Sequence, residues 1–320
     1  MTRLQFILET KTFQRHIINV VIMAAAILLA QGCKKNLPGT PGTSGITGAT
    51  ALLTEVTLVG MNAANNTIES AKTLISYDAN DNFTQTQFTD TSYDLDITFI
   101  TNETTTFTYG SSFISNLTEA ITTQTSVLGQ TPYGTNDSTF VTFYSSGGQV
   151  TYFTTINKIS TTGVPFPTTK TTLDSSLVTY DANGYVSSYI VYQQDTVQGG
   201  LFNLFYTQTF TYSGSNLAGY TLINYATPNQ STTTATYSYN NHYAASPFYS
   251  IIPGIIIKST NDLSNLTLTQ TGVNAGSTVY TYNTTYNSSN QPTLSSVTVS
   301  MTPTSASLPV AETIHYYYQQ

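Results

Sequence analysis

At 320 residues the chain can bury a substantial core and could hold one large β domain or two smaller ones. Only 8% of residues are charged and the net charge is −7, with Lys34, Lys35, Lys72, Lys158, Lys170 and Lys258 the only Lys or Arg beyond the N-terminal leader, which excludes the clustered basic surface that nucleic acid requires. Twenty-four Tyr, no Trp, abundant Thr, Ser and Asn, and 39% hydrophobic residues exclude a disordered chain and predict an all-β fold.

The first element is a leader. Arg3, Lys11, Arg15 and His16 precede the apolar run Ile17 to Ala30, which is too short for a comfortable membrane span and suits the core of a signal peptide. Gln31-Gly32-Cys33 follows, and Cys33 is the only cysteine, so no disulfide can form within the chain. The arrangement resembles a bacterial lipoprotein signal, which implies cleavage after residue 32 and lipidation of Cys33, hence a membrane partner held through acyl chains. Residues 33–50, including Pro38-Gly39-Thr40-Pro41-Gly42, read as a flexible tether, and residues 51–320 as a single repetitive β domain. Lys34-Lys35-Asn36 lacks the acidic residues of a surface-export tag, so the sequence leaves open which face of the outer membrane the chain occupies.

Within that domain the recurring element is a bend. Tyr180-Asp181-Ala182-Asn183-Gly184 places Asp where it opens a type I turn and Gly where a left-handed residue closes it, the pattern of a short hairpin with a bulge. The same logic recurs at Tyr77-Asp78 with Asp81, Tyr144-Ser145 with Gly148, Tyr212-Ser213 with Asn216, and Tyr286-Asn287 with Asn290. Tyr109 leads a weaker sixth copy. The leading tyrosines are spaced 32, 35, 36, 32 and then 74 residues apart, which predicts units of two long or several short strands pairing side by side in an antiparallel β-meander, curled or barrel-like. Between the bends the alternation of strands is visible: Tyr280, Tyr282 and Tyr286 share one face, as do Val297, Val299 and Met301, and Ile314, Tyr316 and Tyr318. Residues 240–268 break the rhythm with Ile251-Ile252 and Ile255-Ile256-Ile257 around Pro253-Gly254, and are expected to cap or fill the curled sheet.

Tyr180-Asp181-Ala182-Asn183-Gly184-Tyr185-Val186 is similar to the Tyr-Asp repeats of Rhs and teneurin shell proteins. The series from about Leu173 to Tyr318, with its 246–267 insert and its terminal Thr313-Ile314-His315-Tyr316-Tyr317-Tyr318, resembles a family of Bacteroidota lipoproteins of unknown function. The resemblance implies an exported β-meander and no catalytic residues.

Candidate chemistry is sparse. His242 and His315 have no cysteine or histidine partners at metal-ligand spacing, and surface or structural roles suit both. No nucleophile elbow, P-loop or dinucleotide motif is present. The turn Asp78 to Asn82 is rich in oxygen, but an EF-hand would need Gly and Glu where Phe83 and Thr89 stand. Asp94 and Asp96 are expected on one face of a strand near Asp90, a pair of the kind a glycosidase uses. Asp137-Ser138-Thr139 and Asp195-Thr196-Val197 resemble a short O-glycosylation signal. The expectation is a lipid-anchored envelope protein without metal or cofactor, binding or structural rather than catalytic, with glycan or an envelope protein as partner. The alternatives are a glycan-binding surface lipoprotein and a carboxylate-dependent envelope hydrolase.

Overall fold

The computed structural model describes residues 52–318 apart from 80–82, 95–96, 110–113, 128–130, 147–148, 165–166, 196–199, 226–229, 244–247, 253–254, 273–274 and 304–308. Residues 1–51, with Cys33 and the expected leader and tether, lie outside the described residues, as do Asp81 and Gly148.

Among the described residues every regular element is a strand. In chain order these are β1 (Leu53–Met61), β2 (Thr67–Tyr77), β3 (Phe83–Asp94), β4 (Ile97–Tyr109), β5 (Ile114–Val127) and β6 (Tyr133–Ser146). They continue as β7 (Gln149–Thr162), β8 (Thr169–Tyr180), β9 (Val186–Asp195), β10 (Asn203–Ser213), β11 (Asn216–Asn224) and β12 (Ser231–Tyr243). A small hairpin follows, β13 (Phe248–Ile252) and β14 (Ile255–Lys258), and then β15 (Asn261–Gly272), β16 (Gly276–Tyr286), β17 (Pro292–Thr302) and β18 (Ala311–Tyr318). All but β13 and β14 form one antiparallel meander of sixteen strands that closes into a barrel, β1 pairing with β18 from Leu53↔Tyr318 to Met61↔Ala311. Closure leaves no sheet edge for another chain to extend. The hairpin β13–β14 is a separate two-stranded sheet between β12 and β15, which pair with each other across it; its side chains lie outside the described residues.

Alternation divides the wall into two chemically different faces. On β4 the inward residues are Phe99, Thr101, Glu103, Thr105, Phe107 and Tyr109, while Thr98, Ile100, Asn102, Thr104, Thr106 and Thr108 face out. The same split sends Ala235, Tyr237 and Tyr239 of β12 inward and Thr232, Thr234, Thr236 and Ser238 outward. On β17, Val297 and Val299 are buried and Ser296, Thr298 and Ser300 are exposed. The inner wall is therefore largely aromatic and aliphatic, with Thr, Ser, Asp and Glu side chains buried among them, and the outer wall is mostly hydroxyl and amide.

A round barrel of sixteen strands leaves an aqueous lumen. Here inward side chains from well-separated strands are sealed from solvent: Val141 and Leu217 are 0% exposed, Phe153 and Val191 1%. These buried residues belong to one cluster of inward side chains that runs around the wall from Leu53 on β1 to Ile314 on β18.

The Tyr-led bends all lie at one rim, after β2, β6, β8, β10 and β16. At the bend after β8, Asp181 Oδ1 accepts from the amides of Asn183 and Tyr185, the Asp181 amide donates to Tyr185 O, the Gly184 amide donates to Asp181 O, and Gly184 has φ +79. The turn needs that left-handed residue, which glycine adopts without steric cost. Asn287 organises the bend after β16 through the same four hydrogen bonds, with Asn290 at φ +63. Two copies differ from the sequence reading. After β10 the left-handed residue is Gly214 (φ +60), because Ser213 and Asn216 already pair and leave a two-residue loop; Asn216 belongs to β11. After β6, Tyr144 pairs with Tyr152 on the outer wall. Ser145, opposite Val150 past the register shift, takes the place that Tyr180 holds opposite Val186. Tyr144 is thus one residue out of phase with the other copies.

The inward tyrosines at this rim have a structural task. Turns there join β2 to β3 or β8 to β9, and leave β1 and β2, or β7 and β8, unconnected. Tyrosine hydroxyls cross those gaps: Tyr77 donates to Leu53 O, Tyr180 to Val150 O, Tyr239 to Leu217 O and Tyr318 to Pro292 O, at 2.8, 2.8, 2.7 and 2.9 Å. Tyr286 makes the equivalent bond to Asp262 Oδ2. Tyr180→Phe removes one latch while leaving the ring in place, and is expected to cost about 1 kcal/mol in urea unfolding. An unchanged midpoint would mean that the carbonyl finds water instead.

Candidate functional site

Two features of the wall carry polar chemistry. The first is a set of carboxyl groups on the inner face. Glu69 (β2), Asp90 (β3), Glu103 (β4) and Glu312 (β18) are all buried, and Glu103 accepts a hydrogen bond from Thr105 Oγ1 at 3.0 Å. Register places Ile121 opposite both Glu103 and Asp137 and Glu119 opposite Thr105, so Glu103 and Asp137 share one row across β4, β5 and β6 and Glu119 sits in the next row, between them on β5. Burial, reinforced by Glu119, pushes the Glu103 carboxyl up to about 8. Burial and then Asp137 push Glu119 up to about 7, and burial alone raises Glu312 to about 7. Asp174, on β8, is raised by burial and accepts from Gln193 Nε2 at 3.0 Å. Neutral carboxyls of this kind act as hydrogen-bonding groups inside the core. Glu69, Asp90, Glu103 and Glu312 are shut away from any polymer, and among the described residues no group of three or more His, Cys, Asp or Glu is arranged to hold a metal ion.

The second feature is a hollow of about 230 Å³ in the outer wall near the rim opposite the tyrosines. Gly134 of β6 is its floor. Its cross-strand neighbours are Gln124 on β5 and Thr162 on β7, and the adjoining row is Asn102, Thr122 and Asn136. Asn102, Thr122, Gln124, Asn136 and Thr162 are exposed. Tyr133, at the edge, has its hydroxyl raised by burial. Gly134 can carry no side chain, because a Cβ there would collide with the Thr123 carbonyl oxygen of β5. Further along β6, two rows of apolar side chains interrupt the hydroxyl surface. Phe140, Ile156 and Leu173 form one, and Tyr144, Tyr152 and Leu177 the other.

The residues singled out in the sequence are elsewhere. His242 stacks on Tyr286, with ring centroids 4.0 Å apart, and its Nδ1 meets Asn290 Oδ1 at 2.6 Å, which pins the strand end to the bend after β16. His315 is outward on β18 beside Tyr317. Asp94 is the last residue of β3, and Asp96 lies outside the described residues, as do Asn80 to Asn82. Asp90 alone of that acidic group is known to face inward. In Asp137-Ser138-Thr139 the strand sends Asp137 and Thr139 inward and leaves only Ser138 outside. Asn216 Oδ1 accepts from the amides of Thr260 and Asn261 and from Ser259 Oγ, anchoring the chain as it leaves β14.

The sequence reading passed over both polar features. Strict alternation in Glu103-Thr104-Thr105-Thr106-Phe107 was the available signal for the inward Glu103. The hollow had none, since its residues come from four strands.

No family model matches the chain, so the Tyr-Asp likeness rests on the sequence pattern, and no curated protein matches it. Solved structures do. The chain is similar to a porin-like protein from Bacteroides uniformis at 14% identity and a TM-score of 0.45, over 83% of this chain and 98% of that one. It is also similar to a porin-like protein from Bacteroides vulgatus at 11% identity and a TM-score of 0.38, over 84% and 99%.

Proposed function

We propose that the protein is a lipid-anchored module of the bacterial cell envelope, whose barrel stands in water and does binding or structural work rather than catalysis or conduction. The observation that carries this is the polarity of the wall. A barrel that spans a bilayer turns an apolar band outward and keeps a polar interior. Here the outward positions of β4, β12 and β17 are largely Thr, Ser and Asn, and the apolar residues face in. Such a wall needs another means of staying at a membrane, and Cys33 with its Gly- and Pro-rich tether supplies one. The inner carboxyls support a non-catalytic role because Glu69, Asp90, Glu103 and Glu312 are buried away from solvent and substrate.

The test is metabolic labelling with palmitate. Label is expected on the full-length protein and none on Cys33→Ala, which should leave the membrane fraction and remain soluble without detergent. A Cys33→Ala protein that still partitions as an integral membrane protein would overturn the reading.

A further inference from the structure

The geometry points to the hollow over Gly134 as a binding site for a neutral oligosaccharide, an assignment that rests on the water-facing reading above and names its ligand class. The lining decides the chemistry. Asn102, Gln124 and Asn136 offer amide donors and acceptors, and Thr122 and Thr162 offer hydroxyls. Among the described residues no Lys or Arg lines the hollow to hold an anion, and no Asp, Glu or His to hold a cation. An apolar ligand would strip water from five exposed polar side chains with nothing to replace it. A polyol satisfies both functions of each amide at once.

Size and surroundings narrow the ligand further. About 230 Å³ is smaller than the sites that enclose drug-sized ligands, and suits one sugar ring resting on the backbone at Gly134. Outward positions on β6 then run from Gly134 through Asn136 and Ser138 to Phe140, which is 44% exposed. Asn136 and Phe140 are four residues apart, roughly 14 Å along a strand, a distance a short oligosaccharide crosses. Phe140, with Ile156 beside it, offers an aromatic and aliphatic face on which a further ring can lie. A hydrogen-bonding hollow and an apolar platform on one water-facing wall are the two halves of a site for an uncharged sugar chain.

The test is calorimetric titration of the full-length protein in detergent micelles with glucose, cellohexaose, maltoheptaose and xylohexaose, and with polygalacturonate and a Gly-Ser peptide as the charged and peptidic comparisons. At least one neutral oligosaccharide is expected to bind. Asn136→Ala and Gln124→Ala should each weaken that binding about 2- to 10-fold, and Phe140→Ala should weaken the oligosaccharide while leaving any binding of glucose unchanged. These are exposed positions, so the variants should keep the wild-type circular dichroism. Silence across all neutral sugars, binding indifferent to the three substitutions, or preference for polygalacturonate or the peptide would each overturn the assignment. Because palmitate labelling is read separately, a labelled protein that binds no sugar sinks this inference alone.

Discussion

Stability of the barrel is expected to rise, not fall, as pH drops from about 8 to about 5. Glu103, Glu119 and Glu312 have folded values near 8, 7 and 7 against an ordinary 4.5. Below the ordinary value both folded and unfolded chains hold the proton, and the contribution of each group is fully present. Between that value and the raised one, only the folded chain keeps its proton, so the unfolded state gains and stability declines as pH rises. The contribution is lost once pH passes about 8. Glu103 should dominate, because it is 4% exposed whereas Glu119 retains some contact with solvent. Glu103 and Glu119 share one site, so their effects will not add. The combined change is on the order of a few kcal/mol, or about 5 °C in Tm across that range. Glu103→Gln keeps an acceptor for Thr105 and removes the titration, so it should flatten the profile and stabilise the protein at pH 8 by about 1–2 kcal/mol. Thermal melts across the range read this directly. A flat wild-type curve would mean that water reaches the inner wall and the carboxyls ionise freely.

Those inward carboxyls were the least legible part of the sequence, and the reason is physical. Tyr280, Tyr282 and Tyr286 announce their shared face because aromatic residues alternate with Thr and Asn, and the structure puts them on the inner wall. Val297, Val299 and Met301 do likewise. Glu103 obeys the same alternation, but a lone carboxylate between threonines reads as an outward residue unless the flanking Phe107 and Tyr109 are given more weight than its charge. The bends were legible where one side chain dictates the turn, as Asp181 and Asn287 do. Asn62 builds the same turn at the other rim, accepting from Ala64 and Asn66 with Asn65 at φ +59, and passed unnoticed because no tyrosine leads it. The bend after β6 was misphased by one residue because Tyr144 is the only aromatic next to Ser145-Ser146, and a one-residue slip moves a side chain to the other face. Closure was beyond reach. It depends on Leu53 meeting Tyr318, and no local pattern in either strand specifies a partner at the far end of the chain.

Phe153 gives the sharpest test of whether the barrel is filled. It is 1% exposed on the inner face of β7, with ring centroids 5.4 Å from Phe143 and 5.6 Å from Tyr189, the latter stacked across the small Ser176 of the intervening strand. Truncation to Ala removes most of a buried aromatic ring, and the neighbouring rings are held by strands that cannot close the gap. The expected loss is about 3–5 kcal/mol in urea or guanidinium unfolding. Phe153→Leu should cost less, since it returns most of the volume, and Thr154→Ala on the opposite face of the same strand should stay within about 0.5 kcal/mol. The contrast between adjacent positions is the measurement, because it reports which face is packed independently of the strand's own propensity. If Phe153→Ala cost no more than Thr154→Ala, the inner wall would be hydrated and the sixteen strands would enclose an open lumen. A barrel open in that way could conduct solutes, and binding on its outer wall would no longer be the work its structure favours.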